Sequence, residues 1–238
     1  NINQRSHWWA GGFHVLEDDH GLADFLIARG ASLDAKSAAQ LGRMDDLAAL
    51  VAVNPQSVHM RAGDGQTPLH VAPTVAIAEF LLRQGADIDA RDVDHESTPA
   101  QYLVRSHPEV TRFLVERGAH TDILMASALG DLERVRGFLD ADPESIRCTV
   151  SEKYFPKRNL HAGGHIYTWT LGQGKTAHVV AREFGREEVF RLLMDRTPAT
   201  LKLALACELG DEATFSALLH TRPDLAQTLG DDERRKLP

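Results

Sequence analysis

The 238-residue sequence predicts an all-α fold, a solenoid of repeated helical units. Three observations carry this. An apolar triplet spaced i, i+3, i+4 recurs seven times, and that spacing makes one stripe along a helix. A helix-opening motif and a helix-closing glycine bracket several of these stripes. The composition, 43% hydrophobic and 25% charged with 10 Pro and 18 Gly, suits a chain with a real core and excludes a disordered or collagen-like one.

Taken in order, the triplets are Leu22/Phe25/Leu26, Leu47/Leu50/Val51, Ala78/Leu81/Leu82, Val110/Phe113/Leu114, Val135/Phe138/Leu139, Val189/Leu192/Leu193 and Phe215/Leu218/Leu219. Their middle members stand 25, 31, 32, 25, 54 and 26 residues apart. The third unit opens on Gly65-Gln66-Thr67-Pro68-Leu69-His70 and closes on Gly85-Ala86-Asp87. Thr67 suits an N-cap, and Pro68 fits a first helical turn, where its missing N–H costs nothing. Gly85 follows the last apolar turn, where a left-handed cap is wanted. The next unit repeats this with Thr98-Pro99 and Gly118-Ala119, and the two closing glycines are 33 residues apart.

On these residues the chain resembles the ankyrin-repeat proteins, whose unit of about 33 residues is a β-turn finger and two antiparallel helices. Thr67-Pro68-Leu69-His70 carries the family's opening motif intact, and Thr98-Pro99-Ala100-Gln101 keeps half of it. Gly11-Gly12-Phe13-His14 and Thr176-Ala177-His178-Val179 are degenerate versions. The resemblance implies one array over residues 1–238, with units near 11–32, 33–66, 67–97, 98–120, 121–175, 176–200 and 201–229, and a polar tail at 230–238. Steps of 25 or 26 imply units without a finger, opening near Leu33, Thr121 and Leu201. The step of 54 implies an insertion of about 21 residues, roughly 147–172, counted as the excess over the family unit. Fingers are then expected at 1–12, 57–66, 86–97 and 146–175. In the family, fingers and first helices line a concave groove.

The net charge of −8 argues against nucleic acid, which selects basic surfaces. No apolar run reaches membrane-spanning length, so no membrane association is expected. Two cysteines, Cys148 and Cys207, are too few for a disulfide framework and fit a reducing, cytoplasmic compartment. The first residue is Asn1 rather than Met, which reads as a cropped or processed start. A monomer is expected.

The unusual side chains are unevenly placed. All three tryptophans fall in the two largest expected walls: Trp8 and Trp9 beside His7, and Trp169 beside Tyr167. Tyr154, His161 and His165 share the insertion with Trp169. Either these rings plug the gap between insertion and stack, or they form an interaction surface. His14 and His70 occupy the motif histidine position, to which the resemblance assigns hydrogen bonds within and between repeats. Aligning Gly174–His178 on Gly65–Leu69 puts His178 where a packed Leu stands; either the helix start has shifted or a polar ring faces the base of the insertion.

The finger Asp92-Val93-Asp94-His95-Glu96-Ser97 has Glu96 where the preceding finger has Gly65. It reads either as a solvated acidic turn or as a tip reaching toward something. His161-Ala162-Gly163-Gly164-His165 is glycine-rich, so its histidines do not share a helix face, and no metal or cofactor is expected. Gly172-Gln173-Gly174-Lys175-Thr176 lacks the first glycine of a phosphate loop, since Trp169 stands there.

Two functions follow as expectations. The first is a binding scaffold for a protein partner, with a negative groove favouring a basic one. The second is an enzyme or a site for a small polar ligand such as a carbohydrate, built from the N-terminal segment, the fingers and the insertion. Its candidate acids are Asp64, Asp94 and Glu96, and its candidate bases or donors are His95, His161 and His178. It demands that the 146–175 loop fold back near residues 7–9.

Overall fold

A computed structural model of the chain describes residues 1–16 and 19–234. It is 56% helical with no strand among the described residues, an all-α fold. The end of the predicted polar tail, residues 235–238, lies outside the described residues. No helix among the described residues is long and apolar enough to cross a membrane.

The chain divides into two compact units. The first comprises Asn1–Thr121 and Val150–Gly174, and the second Asp122–Thr149 and Lys175–Pro238. The inserted segment therefore belongs almost wholly to the first unit.

The first unit holds α1 (His20–Ile27), α2 (Ala35–Gln40), α3 (Met44–Val53), α4 (Val75–Arg83), α5 (Pro99–Leu103) and α6 (Pro108–Glu116). Local chemistry places the starts. Asp34 caps α2 by accepting the Ser37 amide, and Thr74 caps α4 by accepting that of Ile77. Thr67-Pro68 opens only one 3-10 turn, Pro68–Val71, and the chain leaves it in extended backbone before Pro73. Residues 11–16 form no helix; Gly12 instead pairs as an antiparallel bridge with Gly63 of the next finger.

Burial corrects the predicted stripes at two places. In α4 the buried side chains are Ile77, Ala78 and Leu81, so the stripe equivalent to Val110/Phe113/Leu114 is Ile77/Phe80/Leu81 rather than Ala78/Leu81/Leu82. Phe80 and Phe113 are 33 apart, matching the spacing of the closing glycines. In α1, Leu22 and Phe25 are exposed. The buried face there is turned by one residue: Ala23 packs with Leu16, Ala31 and Leu41, while Arg29 lies over the Phe25 ring at 3.4 Å.

The second unit holds α7 (Ile123–Leu129), α8 (Leu132–Ala141), α9 (Ala177–Glu183), α10 (Glu187–Arg196), α11 (Ala199–Leu209), α12 (Glu212–Thr221) and the short α13 (Asp231–Arg234). Gly130 and Gly210 end α7 and α11 in left-handed caps. Glu233, inside the predicted polar tail, is buried and accepts from Arg147 and Thr200, each at 2.8 Å.

Candidate functional site

The N-terminal segment, two fingers and the inserted segment of the first unit are joined by a continuous row of backbone hydrogen bonds. Gly12 and Gly63 exchange theirs at 3.2 and 2.9 Å. The Asp64 carbonyl accepts the Val93 and Asp94 amides, both at 3.0 Å. The Asp94 carbonyl accepts the Gly163 amide at 2.8 Å. Gly65 makes the second step possible: its φ is +82°, and an added Cβ would stand 2.3 Å from Val93 Cγ2.

The finger tip 94–97 grips the insertion with side chains as well. Asp94 Oδ1 accepts the Gly163 amide at 3.0 Å, and His95 Nδ1 meets the Gly164 carbonyl at 2.8 Å. The Glu96 carboxylate accepts the amides of Arg158 and Asn159, and Ser97 Oγ that of Ile166. Asp92 works inside the finger, accepting from the His95 and Ser97 amides and the Tyr102 hydroxyl. The finger tip does reach toward something, and what it reaches is the chain's own insertion.

The insertion has its own small core. Tyr167 is fully buried, with Ile166, Leu171 and Ala162 also buried. Phe155, His165 and Tyr167 stack mutually with centroids 4.4–5.3 Å apart. Burial holds the His165 imidazole down at about 3, so it sits neutral among these rings. Tyr154 is half-buried beside them in sequence, with the Lys153 ammonium 5.3 Å over its ring.

The tryptophans pack only in part between the insertion and the rest of the first unit. Trp8, Trp9 and Trp169 remain 43%, 45% and 58% exposed. Trp9 lies 6.5 Å from Trp8 and 6.4 Å from the His161 ring, so the insertion does fold back to residues 7–9. His7 is exposed next to them in the chain. Trp169 packs on His95 with centroids 4.6 Å apart.

Beneath these rings lie Asp64, Asp94 and His95. His95 Nε2 is 3.8 Å from Asp64 Oδ2 and 3.7 Å from Asp94 Oδ2. Burial pushes the Asp64 carboxyl above its ordinary range; His95 opposes the shift, the Asp94 charge adds to it, and the Trp8 indole N–H and Lys36 oppose it. Burial likewise raises Asp92, against the pull of its donors. Lys36 projects from α2, buried, with Nζ 2.9 Å from Gln40 Oε1. Among the described residues no group of three or more His, Cys, Asp or Glu is placed to hold a metal ion.

His178 belongs to the other unit. It is fully buried in α9 of the second unit, where Nε2 lies 2.6 Å from the Thr197 hydroxyl. His70 sits at the heart of the first unit. Its Nδ1 accepts the Thr67 amide at 3.0 Å, which leaves Nε2–H to donate to the Ser97 carbonyl of the next repeat at 3.1 Å.

Sequence reasoning missed Lys36 and Tyr102 as members of the site. Neither has a local motif; Lys36 reads as an ordinary helix lysine and Tyr102 as a helix apolar position.

Comparison with known proteins gives the same repeat. A sequence model of the ankyrin repeat matches residues 64–93, which include Asp64, Asp92 and the Thr67–His70 motif. Protein fem-1 homolog A of Danio rerio is 32% identical over 94 residues, covering 33% of this chain and 14% of that protein. Protein fem-1 homolog C of Danio rerio is 33% identical over 58 residues, covering 24% of this chain and 9% of that protein. The matched stretches thus span only a small part of these relatives' own lengths.

Proposed function

We propose, from the premise that this chain is an ankyrin-repeat protein, that it is a binding scaffold whose recognition surface is the wall formed by the N-terminal segment, the fingers and the insertion. The observation that carries this reading is the half exposure of Trp8, Trp9 and Trp169 on a wall held by consecutive backbone hydrogen bonds. Exposed indoles on a preorganised support are the side chains that most often dominate protein–protein binding energy. The partner is a protein, and the carboxylates behind the indoles favour a basic segment of it. His161 stacks near Trp9 and His7 adjoins it in the chain, so both belong to this reading, and Tyr154 of the insertion is included with them as a contact to be tested. The seven-unit division over residues 11–229 belongs to this proposal, and both cysteines being free thiols supports a cytoplasmic setting.

One observation favours a second reading, an enzyme or small-ligand site: two carboxylates approach one imidazole nitrogen under aromatic cover. Tryptophan fluorescence titrated with sugars and small acids, set beside binding to a purified partner, separates the two. A saturable change with a sugar or acid supports the second reading. A response only to the partner supports the scaffold.

A further inference from the structure

The helix α1 is apolar on two sides. Its inner side, Ala23 with Leu26 and Ile27, packs with Leu16, Ala31 and Leu41. Its outer side carries Leu22 and Phe25, three residues apart and so on one stripe, 52% and 50% exposed. In the same unit α6 turns charge outward instead, its exposed positions being Glu109, Arg112 and Glu116. A helix apolar on both sides is of the kind that lies between two neighbours, and a repeat array needs its terminal faces polar or covered. In the second unit the chain supplies such a cover itself: Leu225 and Leu229 are buried with Leu203, and Phe215, Leu218 and Leu219 pack against them. Leu22 and Phe25 have no such cover among the described residues.

The charges at the two ends of α1 select the occupant. Asp19 caps the N-terminal end, exposed, accepting the Leu22 amide at 2.9 Å. Arg29 follows the C-terminal end and is also exposed; its guanidinium lies over the Phe25 ring and so borders the apolar stripe. Among the described residues neither forms an ion pair, whereas Asp24 is held by Arg43 at 2.6 Å. The midpoint of Asp19 and Arg29 is residue 24. That of Leu22 and Phe25 differs by half a residue, about 0.8 Å along the helix axis.

A second α1 turned end for end about that point sets Leu22 against the partner's Phe25 and Asp19 against the partner's Arg29. The two-fold repeats each contact, and the two helix dipoles run opposed. We propose that the outer face of α1 is a self-association surface, on which a second copy of the chain docks its own α1 antiparallel. The chain is then a weak dimer, against the monomer its sequence leads one to expect. The contact is separate from the tryptophan wall and does not depend on it.

Sedimentation equilibrium of the whole chain tests this between about 5 and 500 µM, a range that brackets the weak association of a small interface. The average mass should climb from one chain toward two and stop there, because an isologous contact closes on itself. The pair Leu22→Ser and Phe25→Ser should hold the chain monomeric throughout. Both positions are half exposed, so the circular dichroism melt of that variant should match wild type. Arg29→Glu sets like charges opposite one another and should weaken association at least about tenfold. If the serine pair melts early, Arg29→Glu alone decides. A wild-type chain that stays monomeric at the highest concentration overturns the inference. So does association that runs past two chains, survives in the folded serine pair, or is unchanged in Arg29→Glu. Association lost only in Trp8→Ala, Trp9→Ala, Trp169→Ala would place the contact on the tryptophan wall and overturn it too.

Discussion

The Glu96 carboxylate accepts the backbone amide of Arg158 at 2.7 Å, from a residue whose own φ is +50°. Among the described residues Glu96 is the sole non-glycine in that region of backbone space. A left-handed non-glycine residue costs about 1–2 kcal/mol, while a hydrogen bond to a charged group contributes about 1.5–3 kcal/mol. With the Asn159 amide held as well, the clamp outweighs the strain. Glu96→Gly should remove both clamp and strain, and Glu96→Ala only the clamp. Urea denaturation should therefore find the alanine variant less stable by about 1 kcal/mol. Both should speed hydrogen exchange at the Arg158 and Asn159 amides, and equal stabilities would show that the strain is not real.

Gly65 supports the contact between neighbouring fingers. An alanine there meets Val93 at 2.3 Å from Cγ2 and 2.8 Å from its backbone nitrogen, so side-chain rotation alone does not relieve the clash. Gly85 has a similar φ of +89° with nothing within 4 Å of an added Cβ. Gly85→Ala should cost about 1–2 kcal/mol from backbone strain alone, and Gly65→Ala clearly more. Thermal or urea unfolding of the two variants measures the difference.

Two buried imidazoles give stability a defined pH dependence. His70 and His165 are both pushed down to about 3 by burial, against an ordinary 6.5. Between those values the unfolded chain binds protons that the folded chain refuses. Stability therefore falls as pH drops from about 6.5 toward 3, by up to about 1.4 kcal/mol per pH unit for each group. Asp64 and Asp92, raised by burial, act in the opposite sense: they lose folded-state favour as pH rises past 3.8. The carboxylate effect lasts only while the folded carboxyls still hold their protons, whereas the two histidines act across the whole range from about 6.5 down to about 3. Unfolding free energies from pH 7 to 5 should decline, and a folded His165→Phe variant should decline less steeply.

The repeat was legible because its signals are local. Thr67-Pro68, Gly85 and Gly118 act on their own turns, and the motif histidine His70 makes the bonds within and between repeats that its position implies. The register of α4 was harder, since Ile77, Ala78, Leu81 and Leu82 offer two overlapping triplets and only burial chooses between them. The grip of residues 94–97 on 158–166 joins segments more than sixty residues apart, and its sole local sign was Glu96 standing where a glycine is expected. Nor did the tryptophans reveal from sequence whether they plug or project. That depended on Tyr167, Ile166 and Leu171 filling the insertion's core instead.

The recognition role of the tryptophan wall is tested most directly by the triple variant Trp8→Ala, Trp9→Ala, Trp169→Ala, measured for both melting temperature and affinity for a purified partner. Because the rings are half exposed, the melt should stay within a few degrees of wild type while affinity drops at least about thirtyfold, the loss of one strong binding anchor. A folded triple variant that binds the partner as wild type does would contradict the assignment of recognition to this wall.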